Sequence, residues 1–137
     1  MAESVREIMT PNPTTVRPES PVADAARLMG SEDVGSLPVV EGDRLVGVVT
    51  DRDIAVRLVA EGKDPQATTV GEIQSSEPVT VTPDQGLDEA LNEMARHQVR
   101  RLPVVEGQKL VGVLAQADVA REAGDARTGR VVEEISE

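Results

Sequence analysis

Residues 37–49 read LPVVEGDRLVGVV, and residues 102–114 read LPVVEGQKLVGVL. The recurrence belongs to a longer repeat, because residues 15–55 align with residues 80–120 at a constant offset of 65, and 18 of the 41 aligned positions are identical. An internal repeat of this strength indicates two copies of one structural unit. A single copy of about 60 residues would be marginally stable alone, so we expect the two copies to form one cooperative module.

The repeated stretch predicts the same order of elements in each copy. A short β-branched strand comes first, followed by a helix, for which Ser20 is the expected N-cap and Pro21 the first helical residue in copy one. Two strands joined by a glycine-containing turn follow. A helix over about residues 51–60, or 116–122 in the second copy, completes the unit. The predicted fold class is α+β, with the order β-α-β-β-α in each copy. The apolar positions expected to face the core from the first helices are Val22, Ala25, Ala26 and Met29, and Leu87, Ala90, Leu91 and Met94.

The repeat also predicts how the chain is divided. The expected parts are a first repeat, a second repeat and an acidic C-terminal tail, over residues 1–65, 66–122 and 123–137. Residues 62–76 are interpreted as the linker and the entry into the second copy. VREI at residues 5–8 matches VGEI at 70–73 with the same offset, and VEEI at 132–135 echoes both. We expect the third occurrence to be a docking helix or a frayed end.

Composition excludes several classes of function. Hydrophobic residues make up 39% of the chain and aromatic residues are absent, which predicts an aliphatic core and argues against single-stranded nucleic-acid binding by stacking. The net charge of −11 argues against DNA and anionic membrane surfaces as partners. The absence of cysteine excludes disulfides, thiolate metal sites and a cysteine nucleophile. With no apolar run of signal-peptide or membrane-spanning length, we expect a cytoplasmic protein.

The stretch GVVTDRD, residues 47–53, places charged side chains where a strand gives way to a helix. Unpaired N–H groups at a helix start attract anions, Thr50 adds a hydroxyl, and Arg52 adds a cation. The carboxylate of Asp53 can accept hydrogen bonds from both hydroxyls of a ribose, so the set suits a ribonucleotide. The competing interpretation is plain helix capping, with Thr50 or Asp51 as N-cap and Asp53 complementing the helix dipole.

The second copy helps to distinguish ligand binding from plain helix capping. Its equivalent stretch is GVLAQAD, in which Ala115 replaces the threonine and Gln116 and Ala117 replace the first aspartate and the arginine. Asp118 nevertheless remains at the position of Asp53. Retention of that one carboxylate favours a ligand role modestly, since dipole complementarity also accounts for it.

GVVTDRD and GVLAQAD each resemble the G-h-x-[ST]-x-x-D signature that closes a CBS domain, where h is hydrophobic, and VGSLPVV and VRRLPVV resemble the middle strand of that family. Over about residues 1–122 the chain resembles a tandem CBS pair, or Bateman module, of the small stand-alone hypoxic response protein type. The resemblance implies two CBS repeats packed by a pseudo-twofold axis, with two clefts between them. It also implies an adenosine-type ligand such as AMP, ADP, ATP, S-adenosylmethionine or NAD, and no required cofactor.

The resemblance carries ligand-binding roles onto particular residues. The signature aspartates, Asp53 and Asp118, would hold ribose, and Thr50 would contact ribose or phosphate. The two residues before each LPV segment would reach phosphates, for which the guanidinium groups of Arg100 and Arg101 are well shaped, although arginines at a strand start also commonly pair with acidic neighbours. We infer that a complete cleft combines Asp53 and Thr50 with Arg100 or Arg101. The full set of candidate ligand-binding residues is Ser36, Thr50, Arg52, Asp53, Arg100, Arg101 and Asp118.

Three functions are compatible with these features. The favoured one is a regulatory sensor of an adenine nucleotide or a related small molecule, and the alternative is a ligand-free assembly module that acts through dimerisation or a protein partner. An enzyme is disfavoured because no nucleophile–base pair or metal-ligand cluster is evident, and because His97, the single histidine, lies at a helix end where a cation suits the dipole. The chain has no room for an effector domain, so its target would be a separate protein or its own oligomer. Since CBS pairs associate through helices, we expect a homodimer.

Met9, Met29 and Met94 are expected to pack in the core.

Overall fold

The structure, a computed structural model, describes residues 4–123. The chain folds into two compact units that do not follow the linear order of the repeats. The first-repeat unit comprises residues 14–78, whereas the second-repeat unit combines residues 79–123 with residues 4–13. The stretch predicted as a linker, residues 62–76, therefore packs within the first-repeat unit. The predicted tail from residue 124 lies outside the described residues.

The elements confirm the predicted mixture of helices and antiparallel strands. Both copies contain the helix, the strand pair and the closing helix expected from the repeat, and each is preceded by a short helix. In chain order the elements are α1 (Val5–Ile8), β1 (Thr10–Pro11), α2 (Val22–Glu32), β2 (Ser36–Glu41), β3 (Arg44–Thr50), α3 (Asp51–Asp53), which continues as a π-helix (Ile54–Val59), α4 (Val70–Ile73), α5 (Leu87–His97), β4 (Arg101–Glu106), β5 (Lys109–Ala115) and α6 (Gln116–Ala123).

The two hairpins match the sequence prediction closely. Strands β2 and β3 pair antiparallel, and so do β4 and β5. Gly42 and Gly107 lie in the connecting turns with φ of 66° and 65°, a conformation that favours glycine. The predicted strands at the start of each copy are reduced to one residue each, because Val16 and Val81 form isolated parallel bridges to the hairpins.

Two details of the first helix of copy one were predicted wrongly. Helix α2 begins at Val22, and its N-cap is Pro21, not Ser20. The hydroxyl of Ser20 instead accepts a hydrogen bond from the N–H of Arg17 at 3.2 Å, which closes the preceding turn. Ala26 is exposed, because the buried face of α2 runs through Ala23 in its place.

Each unit has its own aliphatic core, as the composition predicts. The methionines pack as expected, since Met94 is fully buried, Met29 is buried and Met9 lies against the core of the second-repeat unit. Burying a side chain of this kind stabilises a fold by about 1.5–3 kcal/mol. The core of the first-repeat unit consists of Val16, Val22, Ala25, Met29, Leu37, Val39, Val49, Leu58, Val70 and Ile73. The core of the second-repeat unit consists of Val5, Val81, Leu87, Ala90, Leu91, Met94, Leu102, Val104, Leu114 and Val119.

The short helices α1 and α4, which we call the entry helices, dock on equivalent loops of the two units. In α1, the N–H groups of Val5 and Arg6 donate to the carbonyls of Gln85 and Pro83, at 2.9 and 2.8 Å. We call residues 83–85 the second seat. The entry helix α4 docks on the first seat, residues 18–20, where the N–H groups of its first two residues donate to the third and first carbonyls of the seat, each at 2.8 Å. Each repeat is thus completed by the helix that precedes the other repeat.

The glycine that opens each signature stretch is needed for this arrangement. The chain leaving each entry helix crosses a hairpin, pairing Thr10 with Val113 in one unit and Ser75 with Val48 in the other. A Cβ on Gly47 would lie 2.6 Å from the carbonyl oxygen of Ser75, and a Cβ on Gly112 would lie 2.8 Å from that of Thr10. Only glycine allows the backbones to approach so closely.

Candidate functional site

The turn from β3 into α3 is a complete capping box. The hydroxyl of Thr50 accepts the N–H of Asp53 at 3.0 Å, and Oδ2 of Asp53 accepts the N–H of Thr50 at 2.9 Å. Two backbone N–H groups that a helix start would leave unpaired are satisfied in this way. The capping interpretation of GVVTDRD is therefore correct as far as one carboxylate oxygen and the threonine hydroxyl are concerned.

The second carboxylate oxygen of Asp53 is less constrained. Oδ1 lies 3.9 Å from Nε of Arg57, too far for a hydrogen bond. The guanidinium of Arg57 is held elsewhere, because its Nη1 donates to the carbonyl of Ile73 at 3.2 Å. The Asp53 side chain is 14% exposed. A carboxylate offers about four acceptor positions, so Asp53 keeps acceptor capacity beyond its own helical turn.

The end of β2 borders the same turn. Ser36 pairs with Thr50 in the hairpin register, and the carbonyl of Gly35 accepts the N–H of Asp51 at 2.9 Å. A Cβ on Gly35 would lie 3.0 Å from Oδ2 of Asp51, so the glycine leaves room for that carboxylate. Arg52 is exposed, and its guanidinium forms no ion pair within residues 4–123. Four of the predicted site residues thus lie together at one strand-to-helix turn.

The equivalent turn of the second-repeat unit is built differently. The N–H of Gln116 donates to the carbonyl of Arg100 at 2.8 Å, which reproduces the bond made by Asp51, but Ala115 has no side-chain acceptor for a capping box. Asp118 pairs with Arg121 one turn along its own helix and is 22% exposed. Gln116 is only 9% exposed, and its Nε2 has no hydrogen-bond partner within the described part of the chain.

Arg100 and Arg101 stand at the start of β4. Both are exposed, and within the described residues neither guanidinium lies within 4 Å of an acidic side chain. The alternative in which these arginines are consumed by neighbouring carboxylates is not realised among residues 4–123. No carboxylate of residues 4–123 therefore competes with an anionic ligand for either guanidinium.

The predicted site residues fall into two groups. Ser36, Thr50, Arg52 and Asp53 belong to the first-repeat unit. Arg100, Arg101 and Asp118 belong to the second-repeat unit. That one ligand is shared by both groups stays a prediction.

Several features that matter were not predicted from the sequence. The closing helix of copy one is π-helical from Ile54 to Val59, whereas that of copy two is α-helical. Val56 and Val59 are 49% and 67% exposed, the two large hydrophobic side chains with high exposure in the described part of the chain. Their spacing of three in the run IAVRLV was the available signal, but the same spacing is equally typical of a core-facing helix.

The structure also bears on catalytic, metal-binding and membrane-spanning functions. His97 ends α5, where its Nε2 lies 3.3 Å from Oε2 of Glu93. Within residues 4–123, no group of three or more histidine, cysteine, aspartate or glutamate side chains is arranged to hold a metal ion. None of the helices in that range combines the length and hydropathy needed to cross a membrane.

The sequence profile of the CBS domain matches this chain twice, over residues 5–60 and 70–125. The chain is 46% identical over 117 residues to the CBS domain-containing protein YhcV of Bacillus subtilis, covering 85% of this chain and 83% of that protein. It is 40% identical over 119 residues to hypoxic response protein 1 of Mycobacterium tuberculosis, covering 86% of this chain and 83% of that protein.

Solved structures give the same match. A crystal structure of Hypoxic Response Protein I with two coordinated zinc ions superimposes with a TM-score of 0.79 at 39% identity, covering 86% of this chain and 97% of that one. A crystal structure of CBSX2 in complex with AMP superimposes with a TM-score of 0.78 at 32% identity, covering 89% of this chain and 96% of that one. The family and the fold expected from the signature stretches are both confirmed.

Proposed function

Given that the chain belongs to the CBS-domain family as a tandem pair, a regulatory module, we propose that it senses an adenosine-type ligand through the turn that joins β3 to α3. The ligand class comprises AMP, ADP, ATP, S-adenosylmethionine and NAD. The protein would act in the cytoplasm without catalysing a reaction, and it would transmit ligand binding to a separate protein or to its own oligomer.

The observation that carries the proposal is the state of the Asp53 carboxylate. One oxygen, Oδ2, is fixed by the N–H of Thr50 at 2.9 Å, which orients the group. The other, Oδ1, has the loose 3.9 Å approach of Arg57 and remains able to accept a hydroxyl. A held but incompletely satisfied carboxylate is the geometry that a sugar diol requires, since orientation is already fixed before binding.

Charge and hydroxyl groups near this turn suit the rest of a nucleotide. Arg52 follows the strand end, and its guanidinium has no ion-pair partner among residues 4–123. Ser36 lies beside Thr50 in the hairpin. Arginine binds phosphate oxygens through two parallel hydrogen bonds. We assign Arg52 to phosphate and Ser36 to a polar contact with the ligand. Arg100, Arg101 and Asp118 are assigned to the same ligand class through the family resemblance of the second copy.

The experiment is a thermal-melting screen of the full chain with AMP, ATP, NAD and S-adenosylmethionine at millimolar concentration. A ligand that binds the native state stabilises it by mass action, by about 2.7 kcal/mol when its concentration is 100 times Kd. We expect at least one of the four to raise the midpoint, and Asp53→Ala to remove most of that rise. If none raises the midpoint, the sensing proposal fails.

A second candidate function, a ligand-free assembly module, is favoured by one observation. Val56 and Val59 expose apolar surface on the same π-helical segment, and the charged Arg57 lies between them in the sequence. An apolar patch with a polar rim is typical of a protein–protein interface. We assign this face to a homodimer, which accommodates both functions.

Sedimentation equilibrium tests the homodimer. We expect the wild-type chain to sediment as a dimer and Val59→Lys to shift it towards the monomer, because a lysine would bury a charge in the contact. Ala26→Lys is the control, since Ala26 is exposed on α2, a different helix from the segment that carries Val59. A dimer that tolerates Val59→Lys as well as Ala26→Lys would rule out this face.

A further inference from the structure

The entry helices α1 and α4 are equivalent in their backbone contacts but not in their charges. In both, the first two N–H groups donate to carbonyls of a seat at 2.8–2.9 Å. The residue at the second position differs: it is Arg6 in α1 and Gly71 in α4. Since the backbone bonds are the same, discrimination between the two helices must come from this position and its surroundings.

Each unit has two acidic residues at matching positions of the repeat, and the first of the two belongs to the seat. In the first-repeat unit they are Glu19 and Glu41, and in the second-repeat unit they are Asp84 and Glu106. Both seats would therefore attract a cation if nothing else neutralised these carboxylates.

The two acidic pairs are neutralised in different ways. In the first-repeat unit, Arg17 lies 2.9 Å from Glu19 and Arg44 lies 3.6 Å from Glu41, so both carboxylates are paired locally. At the positions of Arg17 and Arg44 the second copy has Thr82, which carries no charge, and Lys109, which forms no ion pair within residues 4–123.

The missing cation comes from the entry helix. Nη2 of Arg6 lies 3.3 Å from Oδ1 of Asp84 and 3.2 Å from Oε2 of Glu106, so one guanidinium bridges both carboxylates of the second-repeat unit. These contacts raise the pKa of Arg6, with the hydrogen bond to Glu106 as the largest cause and that to Asp84 as the next. The second seat thus receives from the docking helix the charge that the first seat obtains from its own unit.

Close packing around Gly71 adds to the difference between the two seats. A Cβ on Gly71 would lie 3.1 Å from the carbonyl oxygen of Pro18 and 3.3 Å from its Cβ, which is tighter than ordinary van der Waals contact. A side chain at this position would require Pro18 or the helix to shift by a few tenths of an ångström. The first seat therefore favours glycine where the second seat favours arginine.

We propose that the two seats are selective docking sites, and that residues 6 and 71 direct each entry helix to its own seat. The second seat accepts a segment of the form V-[RK]-x-I, whose cation bridges Asp84 and Glu106. The first seat accepts V-G-x-I. A segment with glutamate at the selecting position would be refused by both seats. This selection enforces the crossed arrangement in which each repeat is completed by the helix preceding the other.

The test is amide hydrogen exchange in the full-length protein, read at Val5 and Arg6 for the second seat and at Val70 and Gly71 for the first. Arg6→Glu places a glutamate at the selecting position of residues 5–8. We expect the amides at positions 5 and 6 to exchange about tenfold faster, because two ion pairs are lost and like charges face each other, with no change at positions 70 and 71.

Two further variants separate selection by charge from simple loss of contacts. Arg6→Gln should accelerate exchange at positions 5 and 6 by less, about threefold, because it removes attraction without adding repulsion. Arg6→Glu combined with Glu106→Lys should restore protection, because the pair is re-formed with its signs reversed. Gly71→Arg is the reciprocal variant and should accelerate exchange at positions 70 and 71 alone. If Arg6→Glu leaves exchange unchanged, or if the Glu106→Lys combination fails to restore protection, the seats do not select by charge.

Discussion

The two repeats end their last strand in the same way and begin the following helix differently. In the first, Thr50 and Asp53 cap each other, and the π-helical segment that follows exposes two valines. In the second, Ala115 provides no cap, Asp118 pairs with Arg121, and Gln116 is buried with an amide nitrogen that has no partner in the described part of the chain. The contrast teaches that the aspartate and the glycine of the signature serve different needs. The glycine is required by chain crossing in both copies, whereas the aspartate is fixed by a capping partner in only one.

The largest expected effect comes from the glycines, which the copies share. Gly47→Ala and Gly112→Ala should each lower the free energy of unfolding by about 3 kcal/mol or more, because the added methyl group would overlap a backbone carbonyl. Gly47→Ala should cost more, since its Cβ meets the Ser75 carbonyl at 2.6 Å, against 2.8 Å from Gly112 to Thr10. Urea unfolding measures both values.

The control for this pair is Gly30→Ala on the exposed face of α2. A Cβ there meets nothing within 4 Å, and alanine favours helix by about 1 kcal/mol over glycine. We expect Gly30→Ala to leave stability unchanged or to raise it. If Gly47→Ala unfolded at the same urea concentration as Gly30→Ala, the close crossing of the chain over β3 would be wrong.

A smaller effect is expected from the cap, which the copies do not share. Thr50→Ala makes the first turn resemble the second and should cost about 1 kcal/mol, because the N–H of Asp53 loses its acceptor. Thr50→Ser keeps that acceptor and should cost much less. Equal stabilities of the two variants in urea unfolding would mean that the capping box contributes nothing, and that the copies differ here in sequence alone.

Much of this fold could be predicted from the sequence because the repeat is strong and local. The glycine turns at Gly42 and Gly107 and the buried positions of α5 follow from short-range patterns. The exchange of entry helices could not be predicted, because the groups that Arg6 and Gly71 contact are brought next to them only by the fold. The hydrogen bonds that decide this join residues far apart in the chain, such as Val5 and Gln85.

The residue types of the candidate site could be predicted, but the hydrogen bonds and ion pairs that each residue forms could not. The pattern T-x-x-D allows both a cap and a ligand contact, and the structure shows that the two oxygens of Asp53 are constrained to different degrees. Whether Arg100 and Arg101 form ion pairs could not be decided from the sequence either, since the chain has 25 acidic residues that could pair with them. Such outcomes depend on three-dimensional neighbours that local spacing does not specify.

The smallest expected effect is a pH dependence at the entry helix α4. The backbone N–H of Thr69, donating at 2.7 Å, and then its hydroxyl hold the pKa of Glu72 below its usual range. A carboxyl group with a lowered folded-state pKa stabilises the fold above its unfolded-state pKa of about 4.3, and this contribution is lost as pH falls through the lowered folded-state value.

Glu72→Gln should therefore destabilise the protein near neutral pH and converge with the wild type at acid pH. Thr69→Ala, which removes the hydroxyl and keeps the N–H, should show part of the same change. Thermal midpoints measured from pH 7 down to pH 3 provide the comparison. A difference between wild type and Glu72→Gln that stayed constant across this range would contradict the assignment.

The most direct test of the unequal roles of the two turns is a calorimetric titration with AMP and 2′-deoxy-AMP. Asp53→Asn keeps an oxygen that accepts the N–H of Thr50 but replaces the second carboxylate oxygen with a donor, so it separates capping from diol binding. We predict that the wild type and the matched variant Asp118→Asn bind AMP more tightly than 2′-deoxy-AMP by about 1–3 kcal/mol, and that Asp53→Asn abolishes the difference. Two results would contradict the assignment of ribose binding to Asp53. One is equal affinity of the wild type for the two nucleotides, and the other is loss of discrimination in Asp118→Asn with discrimination retained in Asp53→Asn.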